Sequence, residues 1–228
     1  NGFEAGAEGP LSRKNKSSYL VNYRYTALGL LDNLGVEIGT NSPPVYQDVN
    51  MKLAFPLKNN GQINVVAIGG TSHINLLGAE IDTTESTYFG RIDENAYPEF
   101  RTGISAITYE KSLTKKTYAK FTVGASGAKQ LYREDSIALS VPDKPTFLKT
   151  DATFNSVKYS VAGNFSHKFS VASSLYFGVN ADLTVAKIFR KTVRNQAERI
   201  WVNFNENNIL TQGYVTWKYR LGTKFTLN

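Results

Sequence analysis

Over several long stretches the side chains alternate residue by residue between apolar and polar, and the polar half of the alternation carries charge. From Ser17 the sequence SSYLVNYRYT places Tyr19, Val21, Tyr23 and Tyr25 on one face of an extended chain and Asn22, Arg24 and Thr26 on the other. From Tyr46, YQDVNMKLAFPL opposes Val49, Met51, Leu53, Phe55 and Leu57 to Asp48, Asn50, Lys52 and Ala54. From Val171, VASSLYFGVNADLTV opposes Leu175, Phe177, Val179, Ala181, Leu183 and Val185 to Ser174, Tyr176, Asn180, Asp182 and Thr184. A period of two is the geometry of a β-strand, whose successive side chains leave opposite faces of the sheet. Similar runs occupy 63–71, 117–127, 158–169 and 212–221, with weaker ones at the two ends of the chain. The stretch 101–113 reads as a further strand, but its residues do not assign a facing. About ten strands result, in an all-β, antiparallel arrangement.

The connections alternate too. Short polar turns fall near 9–16, 58–61, 114–116, 167–170 and 221–223, and long polar segments near 27–45, 72–99, 128–157 and 187–211. Asn60-Gly61 is a hairpin signal, because a type I′ turn needs positive φ at both central residues. Short turns at one end and long loops at the other are the habit of transmembrane β-barrels of the outer membrane. No apolar run approaches the ~18 residues of a membrane-spanning helix, which excludes helical membrane proteins and leaves barrels untouched.

Mid-strand charge sharpens this reading. In a barrel the apolar face meets lipid and the polar face meets a wet or plugged lumen, so Asn22, Arg24, Asp48, Asn50, Lys52, Lys120, Asn180 and Asp182 are the candidate lumen-facing residues. Val21, Tyr23, Val49, Leu53, Phe55, Phe177, Val179 and Leu183 are the candidate lipid-facing ones. Tyr19, Tyr23 and Tyr25, and Trp217 with Tyr219, suit the aromatic girdles of such barrels. One-sided antiparallel sheets in soluble proteins also alternate, so a soluble, secreted, carbohydrate-binding sandwich stands as an alternative.

The remaining chemistry is sparse. With no Cys and two His, the chain has no thiolate metal site, no cysteine nucleophile and little material for a histidine-based site. The net charge of +7 gathers at turns and loop bases without a nucleic-acid-binding motif, so it reads as a solvated rim facing anionic head groups rather than a nucleic-acid surface. Asp82, Glu85, Asp93 and Glu94 lack calcium-loop spacing, and the glycine pairs do not sit between a strand and a helix as a phosphate loop requires. His73 and His167 fall beside turns and loops and do not look like ligands. No cofactor, metal or catalytic constellation is expected. Asn1-Gly2-Phe3-Glu4 has neither a basic region nor an apolar one, so the chain is expected to be processed or to begin inside a longer protein.

The segments NGFEAGAEGPLSRKNKSSYLVNYRYTALGLLDNLG and YQDVNMKLAFPLKNNGQINVVAIGG resemble part of the barrel of TonB-dependent outer-membrane receptors, the type with a carboxypeptidase-regulatory-like extension before the plug. The likeness is clearest over 1–71 and continues through KKTYAKFTVGASG. A TonB box, a plug domain and the usual aromatic C-terminal residue have no match here. The resemblance implies an internal part of a barrel of about 22 strands. It also implies outer-membrane lipid as surroundings, the rest of the barrel and a plug as partners, and work supplied through the TonB complex. A surface lipoprotein is a further implied partner, and the implied function is energised uptake of a nutrient ligand. No family binding residue carries over. A self-contained ten-stranded barrel acting as a pore, adhesin or structural protein is the other membrane alternative. Two unpaired edges in lipid would be intolerable, so either more protein or closure of the sheet is expected.

Overall fold

The computed structural model describes residues 2–26, 28, 42–81, 90–222 and 225–227. Its strands are β1 (Gly2–Ser12), β2 (Ser17–Thr26), β3 (Val45–Leu57), β4 (Gly61–His73), β5 (Leu76–Leu77), β6 (Glu94–Ser112), β7 (Thr117–Ile137), β8 (Thr146–Lys168), β9 (Ser173–Arg194), β10 (Ala197–Leu221) and β11 (Phe225–Leu227). All eleven belong to one antiparallel sheet in which spatial order follows chain order, with the two-residue β5 set beside β6. A 3-10 turn at Gly78–Glu80 is a further regular element among the described residues.

There is no second layer. Among the described residues only Ala119, Ile137 and Ala152 are buried apolar side chains, and no large side chain is fully buried. A soluble sandwich would bury the inner faces of two sheets against each other, and this single sheet has nothing to bury against. That corrects the sandwich alternative.

The long-loop expectation also changes. β7 runs to Ile137 and β8 starts at Thr146, so most of 128–157 is strand and the connection shrinks to 138–145. Most of 187–211 is likewise β9 and β10, joined by Asn195 and Gln196, both at positive φ (51° and 63°). In 72–99, β6 begins as early as Glu94. Residues 29–41 and 82–89, which include Asp82 and Glu85, lie outside the described residues.

The sheet is strongly curled. One recess of about 740 Å³ touches Arg24 on β2 and Thr184 on β9, together with Asp48, Gly70, Thr102, Ser126 and Lys158 between them. Six strand spacings of about 4.8 Å would set β2 and β9 roughly 29 Å apart in a flat sheet, so only a trough-shaped wall lets one recess reach both. Among the described residues the outer edges of β1 and β10 pair with no further strand, apart from the contact of β10 with β11 at Tyr219–Leu221. The two edges differ in length, 11 residues in β1 against 25 in β10.

Candidate functional site

The pairing register carries one parity across the whole wall. Arg24 pairs with Asp48, Asp48 with Gly70, Gly70 with Thr102, Thr102 with Ala128, Ala128 with Ser156, and Ser156 with Ala186. Directly paired residues share a face, so outside the bulges the even-numbered residues form one face and the odd-numbered ones the other. Asn22, Arg24, Asp48, Asn50, Lys52, Lys120, Asn180 and Asp182 therefore all lie on one face. The residues lining the 740 Å³ recess are the even-numbered members of each strand plus the glycines between them, which makes this face the concave one. A second recess, of about 470 Å³, opens on it at Glu8, Leu20, Lys52 and Gln62.

Neighbouring strands neutralise much of the concave charge. Arg24 reaches Asp48 through Nε at 2.8 Å and Nη2 at 2.7 Å. Asn22 donates to Glu4 at 2.7 Å, and Asn180 donates to Gln212 at 3.0 Å. Asp182 faces Lys158 at 3.8 Å, while Lys120 sits directly opposite Glu110 in the register. Asp48 on β3 and Asp182 on β9 are kept apart by the strands between them, so the structure does not bring them together as an acid–base pair. Lys158 and Glu110 escaped sequence reasoning, although parity with Asn164 and Lys120 was the signal that could have found them.

The concave face is not uniformly polar. Phe100, Phe154 and Ile188 lie in one row with Gln130 and line a recess of about 410 Å³. Such a surface can receive an apolar or aromatic group from an occupant of the trough, with hydrogen bonds available from Gln130 and Thr102 at its border.

The odd-numbered, convex face has a sharply bounded apolar band. Between the row of Arg101, Lys129 and Lys187 and the row of Lys111, no odd-numbered residue of any described strand is charged. Val123, Val161, Val179, Ile107 and Tyr159 stand out from this band at 53–58% exposure, values that water would penalise. Val21, Tyr23, Val49, Leu53, Phe55, Phe177, Val179 and Leu183 all belong to it. From Arg101 to Lys111 is about ten residue steps, roughly 33 Å along the strand and about 25 Å once tilted by ~40°, the height of the apolar belt of an outer-membrane barrel. Its lower margin is aromatic. Phe165 stacks on Phe177 with centroids 5.0 Å apart, Phe121 meets Phe165 edge-on at 5.3 Å, and Trp217 donates its indole N–H to Ser173 at 2.9 Å. His167 belongs to this margin as well, bonded to Thr117 at 2.8 Å, which gives it a structural partner across the strands.

Above the band the wall continues, and there charges pair. A bulge between β7 and β8 leaves Lys149 as the extra residue, and its ammonium bonds both Glu94 and Glu134. Burial opposes ionisation of Glu134, but the Lys149 ammonium overcomes that cost and holds the carboxyl below its ordinary range. Burial likewise opposes the charge on Lys149, and the two carboxylates outweigh it and hold the ammonium above the usual lysine value. At the tip of the β9–β10 hairpin, Arg199 lies 4.0 Å over the Trp201 ring and Lys191 pairs with Glu198 at 3.0 Å.

No family model matches the chain, and no curated protein matches it significantly in sequence. Among solved structures, the ferric yersiniabactin uptake receptor of Yersinia pestis superposes with a TM-score of 0.54 at 10% sequence identity. The match covers 92% of this chain and 32% of that one, so the chain spans about a third of the length of the receptor it resembles. At that identity the likeness concerns the fold: this chain is folded as the wall of an antiparallel β-barrel.

Proposed function

We propose that this chain is part of the barrel wall of an outer-membrane, TonB-dependent receptor that takes up a nutrient ligand. The observation that carries the reading is the trough itself: a curled single-layer wall, apolar outside and charged inside, whose two outer edges pair with no further full strand among the described residues. Unpaired backbone along either edge would be costly within the bilayer, where no water can satisfy it. Further strands between those edges satisfy both.

In this reading the concave face, with Asn22, Arg24, Asp48, Asn50, Lys52, Lys120, Asn180 and Asp182, lines the lumen and surrounds a plug domain. The short turns face the periplasm and the tall hairpins face outward. The apolar recess at Phe100, Phe154 and Ile188 then lies at the outer mouth, above the belt, where an arriving ligand first meets the wall. Uptake would draw its work from the TonB complex, and a surface lipoprotein would be a further partner of the outer rim.

The intact mass and sequence of the source polypeptide, recovered from the outer-membrane fraction, test this. A 22-stranded wall at about 23 residues per strand needs roughly 500 residues before a plug is added. A mass several times 25.3 kDa, with a plug domain in the same chain, is the expected result. A mass near 25.3 kDa in that fraction would overturn the receptor reading.

A further inference from the structure

On the upper border of the convex apolar band, three cations stand in one register row. Arg101 on β6 pairs directly with Lys129 on β7, Lys129 with Asn155 on β8, and Asn155 with Lys187 on β9. The same row holds Phe3, Tyr25, Gln47 and Thr71 on β1–β4 and Asn205 on β10, so the positive charge is confined to a patch four strands wide. At strand spacings of about 4.8 Å the patch spans roughly 15 Å. Arg101 is engaged on one side by Glu99, while Lys129 and Lys187 form no ion pair among the described residues. The next row up on this face holds Glu99, Leu131, Thr153 and Phe189, and the row above that carries both signs, with Arg133 and Lys191 on either side of Asp151, so the uncompensated charge is concentrated at the border of the band.

The row directly beneath is unusual in a different way. Gly69, Gly103 and Gly127 are paired side by side on β4, β6 and β7, under Thr71, Arg101 and Lys129. A Cβ at Gly103 would meet nothing closer than 3.6 Å, and at Gly69 or Gly127 nothing closer than 3.3 Å. Three adjoining side chains are thus absent from a lipid-facing surface whose neighbours Tyr23, Val49, Val157 and Tyr159 all project. The result is a shallow bare strip of backbone, capped by guanidinium and ammonium groups and the Asn155 amide.

Resting on the outer-membrane reading above, we propose that this strip and its cationic cap are a binding site for the phosphorylated head group of an outer-leaflet glycolipid. An acyl chain descending across the glycine strip can approach the backbone closely there, where no side chain intervenes. That brings the head group level with Arg101, Lys129 and Lys187, where its phosphate accepts charge-assisted hydrogen bonds. The belt height of about 25 Å fixes the row at the polar–apolar boundary, the depth at which lipid phosphates lie.

The test uses the full-length polypeptide reconstituted into phosphatidylcholine bilayers containing lipid A, against the same bilayers containing dephosphorylated lipid A. Bound glycolipid is read by native mass spectrometry. The double variant Lys129→Gln with Lys187→Gln is expected to lose roughly tenfold to thirtyfold in lipid A affinity, about the weight of two interfacial lysines. Its preference for lipid A over the dephosphorylated lipid should shrink by the same factor, leaving only the part that Arg101 supplies. Lys191→Gln, two rows higher and paired with Glu198, should bind as wild type. Gly103→Leu, which fills the strip and keeps the charges, should also weaken binding. Equal lipid A affinity in wild type and double variant, with barrel insertion intact, would overturn the site. Failure of the wild type to insert would instead count against the outer-membrane reading.

Discussion

Leu53 and Asn50 show how much one residue's facing is worth. Leu53 belongs to the convex row of Val65, Ile107, Val123 and Val161, close to mid-height in the apolar belt, whereas Asn50 lines the concave recess. Leu53→Arg should therefore cost about 2–4 kcal/mol in bilayer stability, and Asn50→Arg should stay within about 0.5 kcal/mol of wild type. Urea titration of the barrel in lipid vesicles reads both. Similar costs for the two variants would mean that the facing is wrong. A finer contrast lies in the glycines. A Cβ at Gly70 would come within 2.9 Å of the Gln47 carbonyl oxygen and 3.0 Å of the Asp48 Cβ, so Gly70→Ala should destabilise by about 1–3 kcal/mol. Gly103→Ala meets nothing within 3.6 Å and should change stability by less than about 1 kcal/mol by the same titration.

At the scale of elements, the tall hairpins above the belt are held by charge where the belt is held by its surroundings. The Glu94–Lys149–Glu134 cluster ties β6, β7 and the β8 bulge together. Because the Glu134 carboxyl is held below its unfolded value, its contribution is complete above about pH 4.3, the ordinary glutamate pKa, and fades as pH falls through the lower folded value. The Lys149 contribution is complete below about pH 10.4 and is lost only as pH rises through its raised folded value. Amide exchange in the upper part of β6–β8, corrected for intrinsic rates, should thus be flat across neutral pH and accelerate in acid. Lys149→Met should remove that acid step, and a step that survives the substitution would count against the cluster. These same elements mark where sequence reasoning stopped. Within the belt, lipid on one side and a charged trough on the other impose strict alternation, so 17–26, 46–57 and 173–185 are plain to read as strands. Above it both faces meet water, the alternation lapses in stretches such as QLYREDS and KTVRNQAER, and strand reads as loop. The concave placement of Asp182 was legible from parity alone. Its partner Lys158 and the Lys149 cluster depend on inter-strand register and a bulge, which no single strand's sequence encodes.

For the whole molecule, the absence of a core is the governing fact. Among the described residues no large side chain is fully buried, so the stability of the sheet rests on backbone ladders, cross-strand pairs and the surroundings of each face. Among the described residues the edge strand β10 leaves its outer backbone unpaired along most of its 25 residues, and the proposed receptor places a further strand there. These 228 residues contain no cysteine, so none of them competes with an introduced one for the label. The most direct measurement is a cysteine scan along β9 from Leu175 to Ala186, spin-labelled in native outer membranes, with accessibility read against oxygen in lipid and a nickel chelate in water. The account predicts two opposed period-two waves, with Leu175, Phe177, Val179, Ala181, Leu183 and Val185 open to oxygen and Tyr176, Gly178, Asn180, Asp182 and Thr184 open to the chelate. Equal exposure of both sets to the chelate, or waves of the opposite phase, would contradict it.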